Sequence, residues 1–217
     1  MLRDNGIVYG AVNEPVLAQV PEHAERILDI GCGSGALGRR LKQKRACHVT
    51  GITYCESEAE AARQHLDEVL VCDLNSFRFP GTEKFDCIVC SHVLEHLNEP
   101  HKLLSQMHAV FAPRGTLIVA LPNVLFWQQR LKFLQGNFEY TDGGLMDRTH
   151  YRFFDWRSAR ELLLTNGFVI DRSQADGSFP LSRFLPVAGS FLNRFALRVS
   201  PGFFGFQFVF VAHPNGR

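Results

Sequence analysis

Short apolar runs alternate with polar, helix-favouring stretches through the first half of the chain. Each run is nearly continuous in its apolarity, the mark of strands buried on both faces, so the pattern predicts a parallel sheet covered by helices. Strands are predicted near Arg26–Gly31, His48–Thr53, Glu68–Cys72, Phe85–Cys90 and Gly115–Leu121. Helices are predicted at Ala36–Arg45, Ser57–Leu66 and Pro100–Phe111, the last with Leu103, Leu104, Met107 and Val110 at helical spacing and a turn at Pro113–Gly115 behind it. After Pro122 the rhythm changes. Val124–Gln135 reads as an aromatic-rich helix, and the Gly-, Asp- and Thr-containing loop through Thr149 reads as an insertion over a site. Asp155 is a predicted N-cap for a helix through Asn166, with Gly167 as its stop, and Phe168–Asp171 and Phe206–Ala212 are the last strands. If those two pair antiparallel, the loop Ser178–Gly205 is far longer than a hairpin needs.

With 217 residues the chain is long enough for one domain with extra segments, and 46% hydrophobic against 21% charged residues excludes a disordered or fibrous chain. Lys plus Arg (23) almost cancels Asp plus Glu (22), which removes the electrostatic footprint of a general nucleic-acid binder and leaves only local RNA contact open. The six cysteines, at 32, 47, 55, 72, 87 and 90, sit in or beside the strand-like runs and read as buried thiols. Cys87 and Cys90 form a CxxC without a second pair, inside a strand, which argues against redox or zinc chemistry. No basic-apolar leader and no apolar stretch of about 18 residues is present, so a cytoplasmic protein is expected.

The segment ILDIGCGSGALGRRL joins a buried strand, a glycine turn and an amphipathic helix, an arrangement that brings backbone close to a nucleotide-like ligand. Gly33–Gly38 also matches GxGxxG, so a nicotinamide-dependent oxidoreductase competes, as does a turn with no ligand at all. Asp29 separates the first two: a carboxylate just inside the strand end suits a cationic ligand and repels a pyrophosphate. At this point the chain resembles the class I S-adenosylmethionine-dependent methyltransferases, whose hhDhGxGxG motif is met by Ile27–Gly35. Cys72-Asp73-Leu74, Phe85–Ser91 and Pro113-Arg114-Gly115-Thr116-Leu117 continue the resemblance in order over roughly residues 26–122. It implies an α/β fold with a Rossmann-like doubly wound seven-stranded sheet, mostly parallel with the last strand antiparallel, and helices on both faces. A single domain over 1–217 follows, with an N-terminal arm (1–25), a cofactor-binding core (26–122), an acceptor-side insertion (123–155) and a hydrophobic cap (178–205).

By the same resemblance S-adenosyl-L-methionine is the cofactor and S-adenosyl-L-homocysteine the product. Gly31, Cys32, Gly33 and Gly35 would pass under the methionine moiety, Asp73 and Leu74 would meet the adenine, and Ser91 would line the site near the methyl. Thr53 occupies the position where the family usually has an acidic residue for the ribose hydroxyls, with Glu56 able to reach back from the next turn. Tyr9 and Asn13 in the arm are expected to close over the cofactor.

Methyl transfer requires alignment and a route for the acceptor's proton. His92, Glu95 and His96 follow the fourth strand, and Asp147, Arg148, His150, Tyr151 and Arg152 lie downstream of the fifth. Three readings stay open: His96 or His150 as general base, a divalent ion held by the histidines and Glu95, or a helix anchor. The segment resembles the ExxEH of small-RNA 2′-O-methyltransferases and a stretch of the ubiquinone-pathway O-methyltransferases, but with His92 in the first acidic position. His96 and His150 are therefore taken as catalytic candidates and no metal as resident. The later segment Leu121–Phe154 is similar to a bacterial subgroup linked with surface polysaccharide or natural-product pathways.

Phe126, Trp127, Phe133, Phe138 and Tyr140 form either a lid or a core-facing helix. Residues 179–204 hold six of nineteen phenylalanines together with Arg183, Arg194 and Arg198, which suits an amphipathic helix at a membrane surface or lipid-linked acceptor, and equally a cap or dimer face. The expected activity is O-methylation of a small molecule or sugar. A non-catalytic cofactor-binding protein is the alternative.

Overall fold

The computed structural model describes residues 12–81, 83–180 and 188–216. Its centre is one seven-stranded sheet in the order β3-β2-β1-β4-β5-β7-β6. The strands are β1 Arg26–Ile30, β2 His48–Thr53, β3 Glu68–Val71, β4 Phe85–Ser91, β5 Phe111–Pro122, β6 Phe168–Gly177 and β7 Gly205–Pro214. β7 pairs antiparallel with both β5 and β6, and the other neighbours pair parallel. The helices are α1 Glu14–Leu17, α2 Ala36–Lys44, α3 Glu56–Ala62, α4 Pro100–Met107, α5 Trp127–Leu134, α6 Trp156–Thr165, α7 Ala188–Val199 and α8 Pro201–Phe204. The doubly wound sheet predicted above is thus the observed one.

Side-chain alternation sorts each central strand into two cores. On β1, Ile27 joins Val89, Leu41 and Ala62 on the side of α2 and α3, whereas Leu28 and Ile30 join Leu104 and Leu163 on the side of α4 and α6. The same alternation settles the CxxC. Cys87 belongs to the first core and Cys90 to the second, so the two thiols lie on opposite faces of the sheet and cannot share a metal or a disulfide. None of the six cysteines is in a disulfide.

Asp155 caps α6 as predicted, accepting from the Ser158 amide at 2.7 Å while Ser158 Oγ accepts from the Asp155 amide at 3.0 Å, and Gly167 follows with φ 78°. Two expectations need correction. α4 ends at Met107, and β5 starts already at Phe111; Pro113–Gly115 lies inside the strand, where pairing with β4 shifts between Phe85 and Cys87 and Arg114 takes φ 64°. β6 extends to Gly177, past the Asp171 expected as its end, and the long connection beyond it carries α7 and α8, in line with the amphipathic helix expected within residues 179–204. Leu162-to-Asn166 marks the end of α6, where His108 meets the Asn166 carbonyl at 2.8 Å and stacks on Phe168. Among the described residues no helix is long and apolar enough to cross a membrane.

Candidate active site

β1 is flanked by β2 and β4, and the strand order reverses there, so the loops leaving the carboxyl ends of β1 and β4 diverge and open a crevice. A cavity of about 950 Å3 occupies it, bounded by the loops after β1 to β4 and by residues of the 142–151 stretch. This lies near the upper end of the roughly 300–1,000 Å3 usual for small-molecule sites, which leaves room for two ligands side by side. Asp29, Gly31, Cys32, Gly33, Thr53, Asp73, Leu74, Ser91, His96 and His150 all line it.

Gly35 does not. It is the N-cap of α2 at φ 79°, and a Cβ there would come 3.1 Å from the Ala62 Cα, so its glycine serves the turn and the packing on α3. Gly31 is restricted differently. At φ 75° its added Cβ would fall 2.3 Å from Val93 Cγ2, which locks the β1 turn against the segment after β4.

Asp29 stands on the α2-side face of β1, where alternation calls for an apolar residue. Its carboxyl is buried and makes no hydrogen bond among the described residues. Desolvation pushes its pKa up to about 7. A carboxylate without a protein partner at a cavity wall fits a cationic ligand group. One wall further, Thr53 donates its hydroxyl to Glu58 Oε2 at 2.6 Å, while Glu56 turns away to Arg63 Nη1, also at 2.6 Å. Glu58, not Glu56, therefore backs Thr53, because one helical turn of α3 brings it over the end of β2. Asp73 Oδ1 accepts from the backbone and side-chain amides of Asn75 at 2.9 and 3.0 Å, which fixes the carboxylate at the cavity edge.

The opposite wall is tied together by Glu95. Its carbonyl accepts from the amides of Tyr151 and Arg152, and its buried side chain meets His92 Nδ1 at 3.2 Å. The other ring nitrogen of His92 lies 2.9 Å from Gln207 Oε1. The Gln207 amide nitrogen donates to Asp176, which fixes that orientation, so both ring nitrogens of His92 face acceptors. Burial opposes the charged ring, but the hydrogen bond and charge of Glu95 and the Gln207 contact outweigh it and hold the His92 pKa above its ordinary value. Asn13 at the head of α1 donates to both Gln207 Oε1 and Ser91 Oγ, which brings the N-terminal side to the cavity. Tyr9 lies outside the described residues.

His96 Nδ1 lies 3.3 Å from the Thr149 carbonyl and 3.1 Å from its hydroxyl, which anchors the ring to the 147–151 stretch. The His150 ring is 4.7 Å from that of His96, centre to centre. Its Nδ1 is buried with no partner, as is Glu95 Oε2. Burial lowers the His150 pKa, partly countered by Glu95. Glu95, His96 and His150 each offer a ligand atom within 4.8 Å of the others, so the trio has the reach to hold an ion. Further along this wall Asp147 accepts from Thr149, Arg148 pairs with Asp142 at the cavity rim, and Arg152 donates to the Asn98 carbonyl.

Of the aromatic set expected as a lid, Phe126, Trp127, Phe133, Phe138 and Tyr140, none borders the cavity, and Phe126 is buried against Phe206. Phe206 borders it instead. Glu58, Gln207 and Phe206 are the site residues that sequence reasoning missed. Only Glu58 carried a signal, an acid one helical turn past the end of the second strand.

This strand order, with its antiparallel seventh strand and a crevice fitted for a cationic nucleotide-like ligand, defines a class I S-adenosylmethionine-dependent methyltransferase, and S-adenosylmethionine is the cofactor. A family model described as "Methyltransferase domain" matches residues 11–173, and the chain belongs to that family. It is similar to a ubiquinone biosynthesis O-methyltransferase of Coxiella burnetii, 28% identical over 110 residues that make up 48% of this chain and 47% of that protein. The chain thus spans about half the length of the curated relatives it matches. Among solved structures, an S-adenosylmethionine-dependent methyltransferase from Mesorhizobium loti superposes with a TM-score of 0.63 at 19% identity, covering 94% of this chain and 98% of that one. Magnesium protoporphyrin IX methyltransferase from Synechocystis, solved with bound S-adenosylhomocysteine, gives 0.57 at 21% identity over 86% and 72%.

Proposed function

We propose that the protein transfers the methyl group of S-adenosylmethionine to an oxygen of a small-molecule or sugar acceptor, with His150 taking the acceptor's proton. The carbon–oxygen bond forms as the sulfonium's carbon–sulfur bond breaks, S-adenosylhomocysteine leaves, and the hydroxyl proton moves to the imidazole. The observation that carries this reading is that His150 lines the cavity, its ring 4.7 Å from that of His96, while its buried Nδ1 has no hydrogen-bond partner. Burial lowers the ring's pKa and so favours its neutral form, the one that can accept a proton. Asp29, Thr53, Glu58 and Asp73 would hold the cofactor's cationic and hydroxyl groups on the other side of the cavity. The relatives named as O-methyltransferases favour oxygen over nitrogen as the acceptor atom. Six cysteines outside any disulfide suit a reducing cytoplasm.

The test is formation of S-adenosylhomocysteine by purified protein across a panel of phenols, sugar alcohols and amines, with products identified by mass spectrometry. Turnover confined to hydroxyl acceptors is expected. Tight S-adenosylhomocysteine binding with no turnover on any acceptor would make the protein a non-catalytic cofactor binder.

A further inference from the structure

We propose that the outward face of α7 docks on an anionic lipid bilayer. Phe191, Arg194, Phe195, Arg198 and Val199 are all exposed and follow one another at helical spacing, so a single face alternates large apolar and cationic groups. Phe191, Phe195 and Val199 are 65%, 58% and 66% exposed. The opposite face already secures the helix. Ala196 is buried, and the Asn193 amide group accepts from the Phe179 amide at 2.6 Å and donates to the Gly177 carbonyl at 3.1 Å. The fold therefore leaves these apolar side chains in water without needing them for its own core.

Charge selects the occupant. Residues 178–205 contain none of the chain's 22 acidic residues but three arginines, and neighbouring α5 also lacks an acid, with its Arg130 set over the Phe203 ring at 5.4 Å. A symmetric contact between two copies through this face would bring Arg194 and Arg198 against their own counterparts with no carboxylate in the segment to neutralise them. A bilayer surface satisfies both groups at once. Phenylalanines enter the headgroup–acyl boundary while guanidinium groups reach lipid phosphates from long apolar stems. Phe203 on α8 and Phe206 on β7 are also exposed, 39% and 41%, and Phe206 lines the cavity. Docking rests on this face alone and not on the identity of the methyl acceptor.

The test is co-sedimentation of the full chain with phosphatidylcholine vesicles with and without phosphatidylglycerol. Wild type is expected to bind the anionic vesicles at low salt and to weaken at least tenfold without the anionic lipid or in high salt. Phe191→Ser with Phe195→Ser, and separately Arg194→Gln with Arg198→Gln, should each weaken binding by about tenfold or more. Unchanged affinity for S-adenosylhomocysteine in both variants would show that the fold is intact. Failure of the folded wild type to bind anionic vesicles overturns the proposal. So does a wild-type dimer in sedimentation velocity that the phenylalanine variant dissociates, since a second copy would then cover the face.

Discussion

Thr53 and Glu58 share a 2.6 Å hydrogen bond across the turn from β2 into α3, and both line the cavity. Thr53 has spent its one proton on Glu58, so the carboxylate is the group left to receive ribose hydroxyls. Glu58→Ala is therefore expected to weaken S-adenosylhomocysteine binding by roughly ten- to a hundredfold, the value of one or two hydrogen bonds to a charged acceptor. Glu56→Ala, which removes only a surface pair with Arg63, should change it less than about twofold. Titration calorimetry on the two variants decides; equal losses would return the role to Glu56.

Asp29 makes cofactor binding pH-dependent. Its folded pKa, raised from 3.8 to about 7, means the empty protein holds a proton that the unfolded chain has already released. Stability from this group is fully present below about pH 4 and is lost as pH climbs to 7. A cationic ligand reverses the preference by favouring the carboxylate. Affinity for S-adenosylmethionine should therefore rise with pH through about 7, with close to one proton released per molecule bound at pH 6. Asp29→Asn should abolish this dependence and weaken binding by about a hundredfold. It should also raise the empty protein's stability at pH 8 by about 1–3 kcal/mol. Calorimetry in buffers of different ionisation enthalpy measures the proton release, and a pH-independent affinity would remove the electrostatic account of Asp29.

The sheet was legible in the sequence because its central strands are apolar on both faces, so β1, β2 and β4 stand out wherever one looks along the chain. The cofactor wall was legible because Asp29 and Gly31 are local exceptions: a carboxylate in an apolar run, and a residue that must take positive φ under Val93. The Glu95 wall was readable only in part. Glu95, His96 and His150 could be named from chemistry, but Gln207 comes from the far end of the chain and meets His92 only because β7 folds back antiparallel beside β5. No spacing in a one-dimensional pattern encodes that contact. The α7 region was legible as an amphipathic stretch rich in phenylalanine and arginine, but its start inside the long connection between β6 and β7 was not, because no cap residue marks it in the sequence.

The Glu95–His92–Gln207 chain is a structural brace centred on a histidine whose two ring nitrogens both face acceptors. Glu95→Ala leaves His92 with one acceptor instead of two and empties the fully buried space of the Glu95 side chain, while the main-chain bonds to Tyr151 and Arg152 remain. A loss of about 3 kcal/mol is expected, the low end for breaking a buried pair, since His92 is half-exposed. His92 has a raised folded pKa, so its contribution is fully present below the unfolded value near 6.5 and fades as pH rises through the folded one. The penalty of Glu95→Ala should accordingly shrink by pH 9, and Glu95→Gln should lose much less at any pH. Urea unfolding at pH 6 and pH 9 reads both effects; a penalty that does not change with pH would mean the pair is held by packing alone.

His150 and the trio it belongs to separate proton abstraction from metal assistance. If His150 acts as base, His150→Gln should leave S-adenosylhomocysteine affinity unchanged and lower kcat by about 10²–10⁴-fold, the usual value of a positioned general base. The loss should be greatest for acceptors of high hydroxyl pKa and small for phenols already ionised at the assay pH, because those need no base. Turnover should also survive a chelator undiminished, since the imidazole works without an ion. If chelation abolishes activity and a divalent ion restores it, the unpartnered Glu95 Oε2 and His150 Nδ1 are ligands rather than proton acceptors, and His96→Gln should then be as damaging as His150→Gln. Single-turnover kinetics with metal-free protein across phenols of graded pKa distinguishes the two, because a base imposes a slope on rate against acceptor pKa that His150→Gln steepens.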